Sequence, residues 1–283
     1  MNANTVKFAV HAIGDRVGLA VTGTLGTDNE GQFCDFVPVD GHPNDSFTAR
    51  LQLGWRSAEA RFIAGKFAAP LVAQMARCGA EARQTFATFV SALQSRKIRV
   101  TMRINGADAA PASPHSWPAN WSRLELALRL APFLTEKADD PALANLVMEL
   151  VVPFFAMLAT LIGVEENEPL SAGEPEGKPI QSLVTRYERK KINREACIQL
   201  KGSRCAICGF DFATAYGTLG AGYIEVHHTT PVSSVGPDYK INIATDLEPL
   251  CSNCHSMAHR EEPPVAIEKL RTLVNERRKA QAP

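Results

Sequence analysis

The sequence predicts an α+β protein of two domains. Segments with strand-like and helix-like periodicity are mixed over residues 1–164, which predicts an N-terminal α+β domain with its own core. The acidic, Pro- and Gly-rich run EENEPLSAGEPEGKP then predicts a linker over residues 165–180. Residues 181–283 carry paired cysteines and clustered histidines, which indicates a second domain. The length of 283 residues is sufficient for two ordinary domains.

Strands are predicted in three places of the N-terminal region. Val6 to Ile13 is rich in β-forming residues, and a turn at Gly14 lets Val17 to Val21 return as a hairpin. Phe47 to Leu53 places its apolar residues on alternate positions, which predicts a second strand site. Lys97 to Ile104 is expected to form a further strand.

Helices are predicted between and after these strands. Ser57 has the character of an N-cap, and apolar residues at helical spacing continue from there to Cys78. Glu81 to Leu93 repeats this spacing, and we expect two more helices over residues 120–134 and 141–163.

The most apolar segment, Leu143 to Val164, is long enough to cross a membrane, but Glu149 and Pro153 interrupt it. A buried core helix is therefore the preferred interpretation, and we expect no membrane association. Because Met1 to Asp15 has no basic start followed by an apolar run, we expect no secretory signal and a cytoplasmic protein. Basic and acidic residues number 30 each, so net charge alone gives no sign of a nucleic-acid partner.

Four of the seven cysteines form two CxxC pairs, Cys205 with Cys208 and Cys251 with Cys254. In a chain without a predicted export signal, this spacing favours a metal site over disulfides. Four thiolates can complete a tetrahedral zinc site, so we expect structural Zn²⁺ here. The other three cysteines are expected to be small buried residues; they are Cys34, Cys78 and Cys197.

Four histidines accompany these cysteines. His227 and His228 follow a strand-like run, and adjacent strand residues point to opposite faces, so one ring can bind metal while the other faces a water molecule. His255 and His259 have i, i+4 spacing, which puts both rings on one face of a helix. The pattern predicts an open metal site beside a closed one.

The region from about Tyr187 to Arg260 resembles an HNH endonuclease domain of the ββα-metal type, and most closely the McrA-like group of restriction endonucleases. The resemblance is carried by Cys205-x-x-Cys208-Gly-Phe-Asp-Phe, Tyr223-Ile-Glu-Val-His227-His228, Asp246-Leu-Glu-Pro-Leu-Cys251-x-x-Cys254-His255 and His259-Arg260. It covers roughly a quarter to a third of the chain.

This resemblance implies a role for each histidine. His227, His255 and His259 would bind a catalytic divalent ion, and His228 would be the general base. Imidazole ligands suit Mn²⁺, Co²⁺, Ni²⁺ or Zn²⁺, while Mg²⁺ prefers oxygen ligands but remains a candidate in cells. A histidine base with a pKa near ~6.5 predicts weak activity in acid.

The sequence departs from the family at the central Asn of the HNH motif, where the matching position is Asp246. Its carboxylate accepts hydrogen bonds but cannot donate an amide N–H. We therefore expect Asp246 to brace the loop that carries the base rather than to bind metal. Asn242 is a second candidate for this role, and Asn253 is a weaker one.

DNA is the partner that the resemblance implies, with modified DNA among the candidate substrates. A helix is expected from Gln181 to Leu200. The overlapping stretch from Arg186 to Arg204 contains seven basic and two acidic residues. Such a run is commonly just a solvated face, but beside a metal site it also suits phosphate contacts. The candidate contacts are Arg186, Arg189, Lys190, Lys191, Arg194 and Arg260.

Two functions are consistent with these features. The first is a metal-dependent DNA endonuclease in defence against foreign DNA, which needs two sites, most simply from a homodimer, to cut both strands. The second is a non-catalytic zinc module that binds nucleic acid or protein. The N-terminal domain would recognise altered bases or mediate dimerisation. Its tryptophans are candidates for stacking on a flipped base, although core positions are the simpler expectation; they are Trp55, Trp117 and Trp121.

Overall fold

An antiparallel sheet organises the first of the two units into which the chain divides, Met1–Ile192 and Asn193–Pro283. The structure is a computed structural model that describes residues 1–39, 44–134, 138–163, 189–229, 241–261 and 264–281. The strands of the sheet are β1 (Val21–Asp28), β2 (Gly31–Pro38), β3 (Phe47–Leu53), β4 (Ala58–Ala64), β5 (Arg99–Ile104), β6 (Ala107–Asp108) and β7 (Leu124–Leu130). They lie in the order β1-β2-β3-β4-β7-β5-β6 within the described residues.

Helices cover one face of this sheet. They are α1 (Ala3–Val17), α2 (Ala69–Ala76), α3 (Ala80–Ser95), α4 (Asp140–Leu146) and α5 (Val152–Ile162), with a π-helical segment, Val147–Val151, between the last two. Strand residues alternate between this buried face and an open polar face, as in β5, where Val100, Met102 and Ile104 are buried. The fold class is therefore α+β, as predicted.

The apolar helix at residues 140–162 is the centre of the core. Every residue of α5 is buried, and Phe155 contacts the rings of Phe36 and Phe47. Asp140–Ile162 is long and apolar enough to cross a membrane, but 83% of its most apolar window is buried inside the protein. This burial agrees with the predicted core helix.

The predicted hairpin at residues 6–21 is wrong, because the chain forms helix α1 there. Asn2 caps the helix by accepting a hydrogen bond from the Thr5 N–H, and Gly18 ends it with a left-handed φ of 80°. The buried residues Ala9, Ala12 and Ile13 follow helical spacing, which packs them against the sheet and α5. The helical spacing of the buried residues therefore decides the conformation of this segment, despite its many β-forming residues.

Two predicted helices are also wrong, one over its first half and one over its whole length. Ser57 precedes strand β4, whose buried Ala58, Ala60 and Phe62 have period two, and the helix begins only at Ala69. The helix expected over residues 120–134 is instead strand β7, which pairs with both β4 and β5. Both segments complete the middle of the sheet, so tertiary pairing decides their conformation.

The other predicted elements are confirmed. Phe47–Leu53 is β3, residues 81–93 lie within α3, and β5 begins two residues after Lys97. Trp117 and Trp121 are core residues that contact each other, and Trp117 also contacts Phe86, so neither offers a face to a flipped base. Trp55 is 75% exposed.

The second unit contains a small ββα arrangement. Its elements are α6 (Arg189–Lys201), which crosses the boundary between the units, α7 (Phe212–Tyr216), β8 (Glu225–His228), α8 (Ile243–Asp246), β9 (Leu247–Leu250), α9 (Ser252–Ala258) and α10 (Ile267–Gln281). Strands β8 and β9 pair antiparallel, and α9 packs on both. The predicted linker at residues 165–180 and the start of the predicted helix at Gln181 lie outside the described residues.

The core of the first unit predicts that Phe155→Ala lowers its free energy of unfolding by about 3–5 kcal/mol. The ring is fully buried and contacts two other phenylalanines, so its removal leaves a cavity. Urea denaturation followed by the fluorescence of the buried tryptophans measures the loss. Leu25→Ala, at a side chain that is 41% exposed, is the control and should change stability by less than about 0.5 kcal/mol. Equal effects of the two substitutions would contradict this core assignment.

Candidate zinc centre and active site

The four paired cysteines meet at one point of the second unit. The sulfur atoms of Cys205, Cys208, Cys251 and Cys254 all lie within 4.8 Å of one another. The Sγ atoms of Cys208 and Cys251 are 3.6 Å apart. A tetrahedron with Zn–S bonds of about 2.3 Å requires sulfur atoms about 3.8 Å apart, so the thiols fit structural zinc.

Local backbone structure produces this geometry in the first CxxC pair. Gly209 adopts a φ of 72°, which lets its N–H donate to the Cys205 carbonyl at 2.9 Å. The Ala206 N–H donates to the Pro249 carbonyl at 2.8 Å and so joins the first pair to β9, just before Cys251. The second pair begins helix α9, for which Cys251 is the N-cap residue.

The electrostatics of the cluster favour a bound cation. Burial raises the pKa of the Cys205 thiol, but hydrogen bonds from backbone N–H groups outweigh it and bring the pKa to about 7. Burial and the neighbouring thiols raise the pKa of Cys254, and burial raises that of Cys251. Four adjacent thiolates repel one another, so a divalent cation is needed to hold them together in the ionised form.

The remaining cysteines are not members of this cluster. Cys34 and Cys197 are buried, and burial raises the pKa of each thiol to about 12. Cys78 is half-buried. Cys34 and Cys197 are thus small buried residues, as the sequence predicts, whereas Cys78 is only partly buried.

Three histidines form a second cluster. The ring centroids of His227, His255 and His259 are separated by 5.3, 4.9 and 5.1 Å, which is nearly an equilateral triangle. One nitrogen from each ring lies within 4.8 Å of the others. His227 comes from β8 and the other two from α9 and its C-cap, so the strand and the helix each contribute to the triangle.

The histidine triangle also fits a metal ion. His227 is 2% exposed, and its Nδ1 is buried without a hydrogen-bond partner among the described residues. Burial and the nearby rings of His255, His259 and His228 lower the pKa of His227 to about 4. The ring is therefore neutral at pH 7, as a metal ligand must be. His259 is exposed, so the triangle is open to solvent on one side.

Glu225 organises this cluster and was not predicted from the sequence. Its Oε2 accepts a hydrogen bond from Nδ1 of His255 at 2.5 Å, and its Oε1 accepts one from the Ser252 hydroxyl at 2.5 Å. Burial raises the pKa of Glu225, but these two hydrogen bonds together with the electrostatic effects of His255 and Arg194 outweigh burial and lower the pKa. A carboxylate on Nδ1 leaves Nε2 of His255 as the ligand atom. Glu225 lies two residues before His227 and therefore on the same face of the strand. This spacing is the feature of the sequence from which its contact with the cluster could have been predicted.

His228 follows His227 on β8 and is half-buried. The next residue, Thr229, donates its backbone N–H to the Asp246 carbonyl at 2.9 Å and its hydroxyl to the Thr245 carbonyl at 3.2 Å. The Asp246 carboxylate accepts hydrogen bonds from the Asn242 N–H and the Thr245 hydroxyl, at 2.8 and 2.7 Å. Asn242 caps the same turn through the Ala244 N–H. Asp246 and Asn242, the two candidates for bracing, thus shape one turn beside His228.

The predicted DNA contacts separate into different groups. Arg260 is exposed, and its side chain has no partner among the described residues. Arg194 instead donates to the Ile224 carbonyl at 2.5 Å and lies close enough to Glu225 to lower the pKa of that carboxyl. Lys191 is half-buried on α6. The side chains of Arg189 and Lys190, and all of Arg186, lie outside the described residues.

Comparison with known protein families finds a match in the second unit. A family model described as HNH endonuclease matches residues 205–261, which run from the first cysteine through β8, β9 and α9. Residues 205–261 form an HNH endonuclease domain. The HNH domain therefore contains both the four cysteines and the histidine triangle.

The chain also has a curated relative. The chain is similar to the type IV methyl-directed restriction enzyme EcoKMcrA of Escherichia coli (strain K12), with 29% identity over 128 residues. The aligned part is 44% of this chain and 39% of the relative, so the similarity spans well under half of that protein. This similarity agrees with the predicted McrA-like character. No solved structure matches the chain.

The cysteine cluster predicts that Cys254→Ser removes the tightly bound zinc. Serine does not provide the fourth thiolate, so zinc content after dialysis against EDTA should fall from about one ion per chain toward none. Elemental analysis measures the content, and thermal unfolding should show a less stable second unit. Cys78→Ser, outside the cluster, is the control and should retain zinc. Full zinc retention in Cys254→Ser would rule out this four-cysteine site.

The contact between Glu225 and His255 predicts that Glu225→Gln weakens metal binding at the histidine triangle by about 10- to 100-fold. The amide lacks the charge that favours the Nδ1-protonated ring of His255. Calorimetric titration of the zinc-loaded protein with Ni²⁺ measures the affinity. Glu268→Gln, at an exposed carboxylate on α10, is the matched control. Unchanged Ni²⁺ affinity in Glu225→Gln would show that the contact does not orient His255.

Proposed function

We propose that this protein is a metal-dependent DNA endonuclease that hydrolyses phosphodiester bonds. The observation that carries the proposal is the open triangle of His227, His255 and His259 with His228 adjacent on the same strand. The triangle is exposed at His259, so a phosphate has access to it from solvent.

His228 is the general base of this proposal. Because it follows His227 on β8, its ring projects from the opposite face of the strand. His228 is therefore not one of the three proposed metal ligands. As a neutral imidazole it takes a proton from water, and the resulting hydroxide attacks phosphorus in line with the departing 3′ oxygen. The products carry 5′-phosphate and 3′-hydroxyl ends.

The residues around His228 position this chemistry. The turn capped by Asn242 and Asp246 fixes the backbone of Thr229 and thereby the end of the strand that carries the base. Glu225 holds His255 in the tautomer that presents Nε2. A divalent ion at the triangle supplies Lewis-acid stabilisation of the charge that develops on the phosphate. Mn²⁺, Co²⁺, Ni²⁺, Zn²⁺ and Mg²⁺ are the candidates, with imidazole ligands favouring the first four.

Basic residues provide the affinity for DNA in this proposal. Arg260 directly follows His259 and has an exposed side chain, which suits a contact with a phosphate next to the scissile bond. We propose the basic residues of α6 and the segment before it as further contacts. A single HNH site cuts one strand, so cleavage of both strands requires two copies, most simply a homodimer.

Selection of modified DNA is the second part of the proposal. The relative in Escherichia coli is named a methyl-directed restriction enzyme. By this analogy we propose a cytoplasmic defence nuclease that restricts foreign DNA, in which residues 1–164 choose altered bases. Cleavage of a panel of phage DNAs with different base modifications tests this part separately from the chemistry.

The assignment of the base predicts that His228→Ala lowers the rate of plasmid nicking in Mn²⁺ by about 10²- to 10⁴-fold. Zinc content and thermal stability should remain those of the wild type, because His228 belongs to neither metal cluster. The control is His11→Ala, an exposed histidine on α1, which should nick at the wild-type rate.

Wild-type nicking by His228→Ala would contradict the assignment of the base. Absence of nicking by the wild type on every modified and unmodified DNA would favour the alternative, a zinc module that binds without cutting.

A further inference from the structure

An exposed apolar protrusion lies immediately before the catalytic strand of the HNH domain. We call residues Phe212–Ile224 the apolar knob; its 13 residues include no charged side chain, in a chain that is 21% charged. Leu219 at its tip is 88% exposed, and Tyr216 and Tyr223 are 60% and 46% exposed. A cluster of exposed apolar side chains of this kind indicates a binding surface.

The apolar knob is held in a defined conformation by its own side-chain contacts. Phe212 contacts the rings of Phe210, Tyr216 and Tyr223, with centroids 4.9, 5.9 and 4.8 Å away. Gly220 packs so closely on α7 that an added Cβ would lie 2.1 Å from the Phe212 carbonyl oxygen. The aromatic contacts and this close packing therefore fix the position of the segment that exposes Leu219.

The position of the knob in the chain points to DNA as its occupant. Tyr223 lies five residues before His228, a span of at most about 17 Å along an extended chain. One turn of B-DNA measures about 34 Å, so a duplex whose phosphate reaches His228 extends past the knob. Arg204, before the knob, is 67% exposed and pairs with Asp211 at 3.3 Å, and Arg194 donates to the Ile224 carbonyl at the end of the knob.

We infer that Leu219 is a wedge that inserts between base pairs of the DNA held at the HNH site. Apolar side chains inserted at a base step unstack it and kink the duplex. The absence of charge in the knob suits entry between bases. The inference rests on the proposed nuclease function and adds a positioning residue to it.

The test compares Leu219→Ala with the wild type on two duplexes taken from a cleaved site, one fully paired and one with a mismatch at the step beside the cut. On the paired duplex, Leu219→Ala should nick about tenfold more slowly or worse, because unstacking is no longer assisted. On the mismatched duplex, where the step is already open, the variant should recover most of its rate. Leu273→Ala, at an exposed leucine on α10, is the matched control and should nick both duplexes as the wild type does.

Recovery on the mismatched duplex distinguishes a wedge from a merely structural residue. Equal loss on both duplexes, or no loss on either, would overturn the inference. So would a change of oligomeric state in light scattering of Leu219→Ala, since the knob would then be a contact between copies of the chain.

A second measurement separates this inference from the proposed function. In the His228→Ala background, 2-aminopurine at the step should brighten on binding, and Leu219→Ala should abolish the increase. Binding without the increase would overturn the wedge, whether or not the wild type cuts. If the wild type cuts no DNA but the increase is seen, the wedge stands and the nuclease proposal fails.

Discussion

The four-cysteine cluster is the constraint on which the HNH domain depends. Cys251 is the N-cap of α9, and Cys254 lies in its first turn. His255 and His259 lie further along the same helix and at its C-cap. A metal ion that holds the two thiols in place therefore also positions these two imidazoles. The first CxxC pair is joined in turn to β9 through the Ala206 N–H. The apolar cluster around these cysteines is small, and a zinc ion bound by the four thiols would compensate for its size.

A second constraint joins the catalytic strand to this helix. Glu225 is on β8, and it bonds to Ser252 and His255 on α9, so the strand and helix are held together beside the metal ligands. His227 comes from the strand and completes the triangle from the opposite side. We propose that the four thiols hold a structural zinc ion and that the three imidazoles hold a second ion at a site exposed to solvent.

The site was largely predictable from the sequence, whereas much of the N-terminal fold was not. Cysteines and histidines at fixed spacings on a short chain segment have few ways to meet, so the division into two clusters followed from residue type and periodicity. Helix α1 and strand β7 were misassigned because their conformations are decided by packing against distant partners, which local composition does not record. The role of Glu225 was not predicted, because a single carboxylate near histidines forms no recognisable motif. Its spacing of two residues from His227 places both side chains on the same face of the strand.

We propose that the sulfur and nitrogen ligands belong to two separate metal centres. X-ray absorption at the zinc edge, on protein stripped of weakly bound metal, distinguishes separate centres from a mixed one. We expect four sulfur scatterers at about 2.3 Å and no nitrogen among the ligands of the remaining zinc. A mixed shell of sulfur and imidazole nitrogen, or protein that retains no zinc while its cysteines stay reduced, would contradict it.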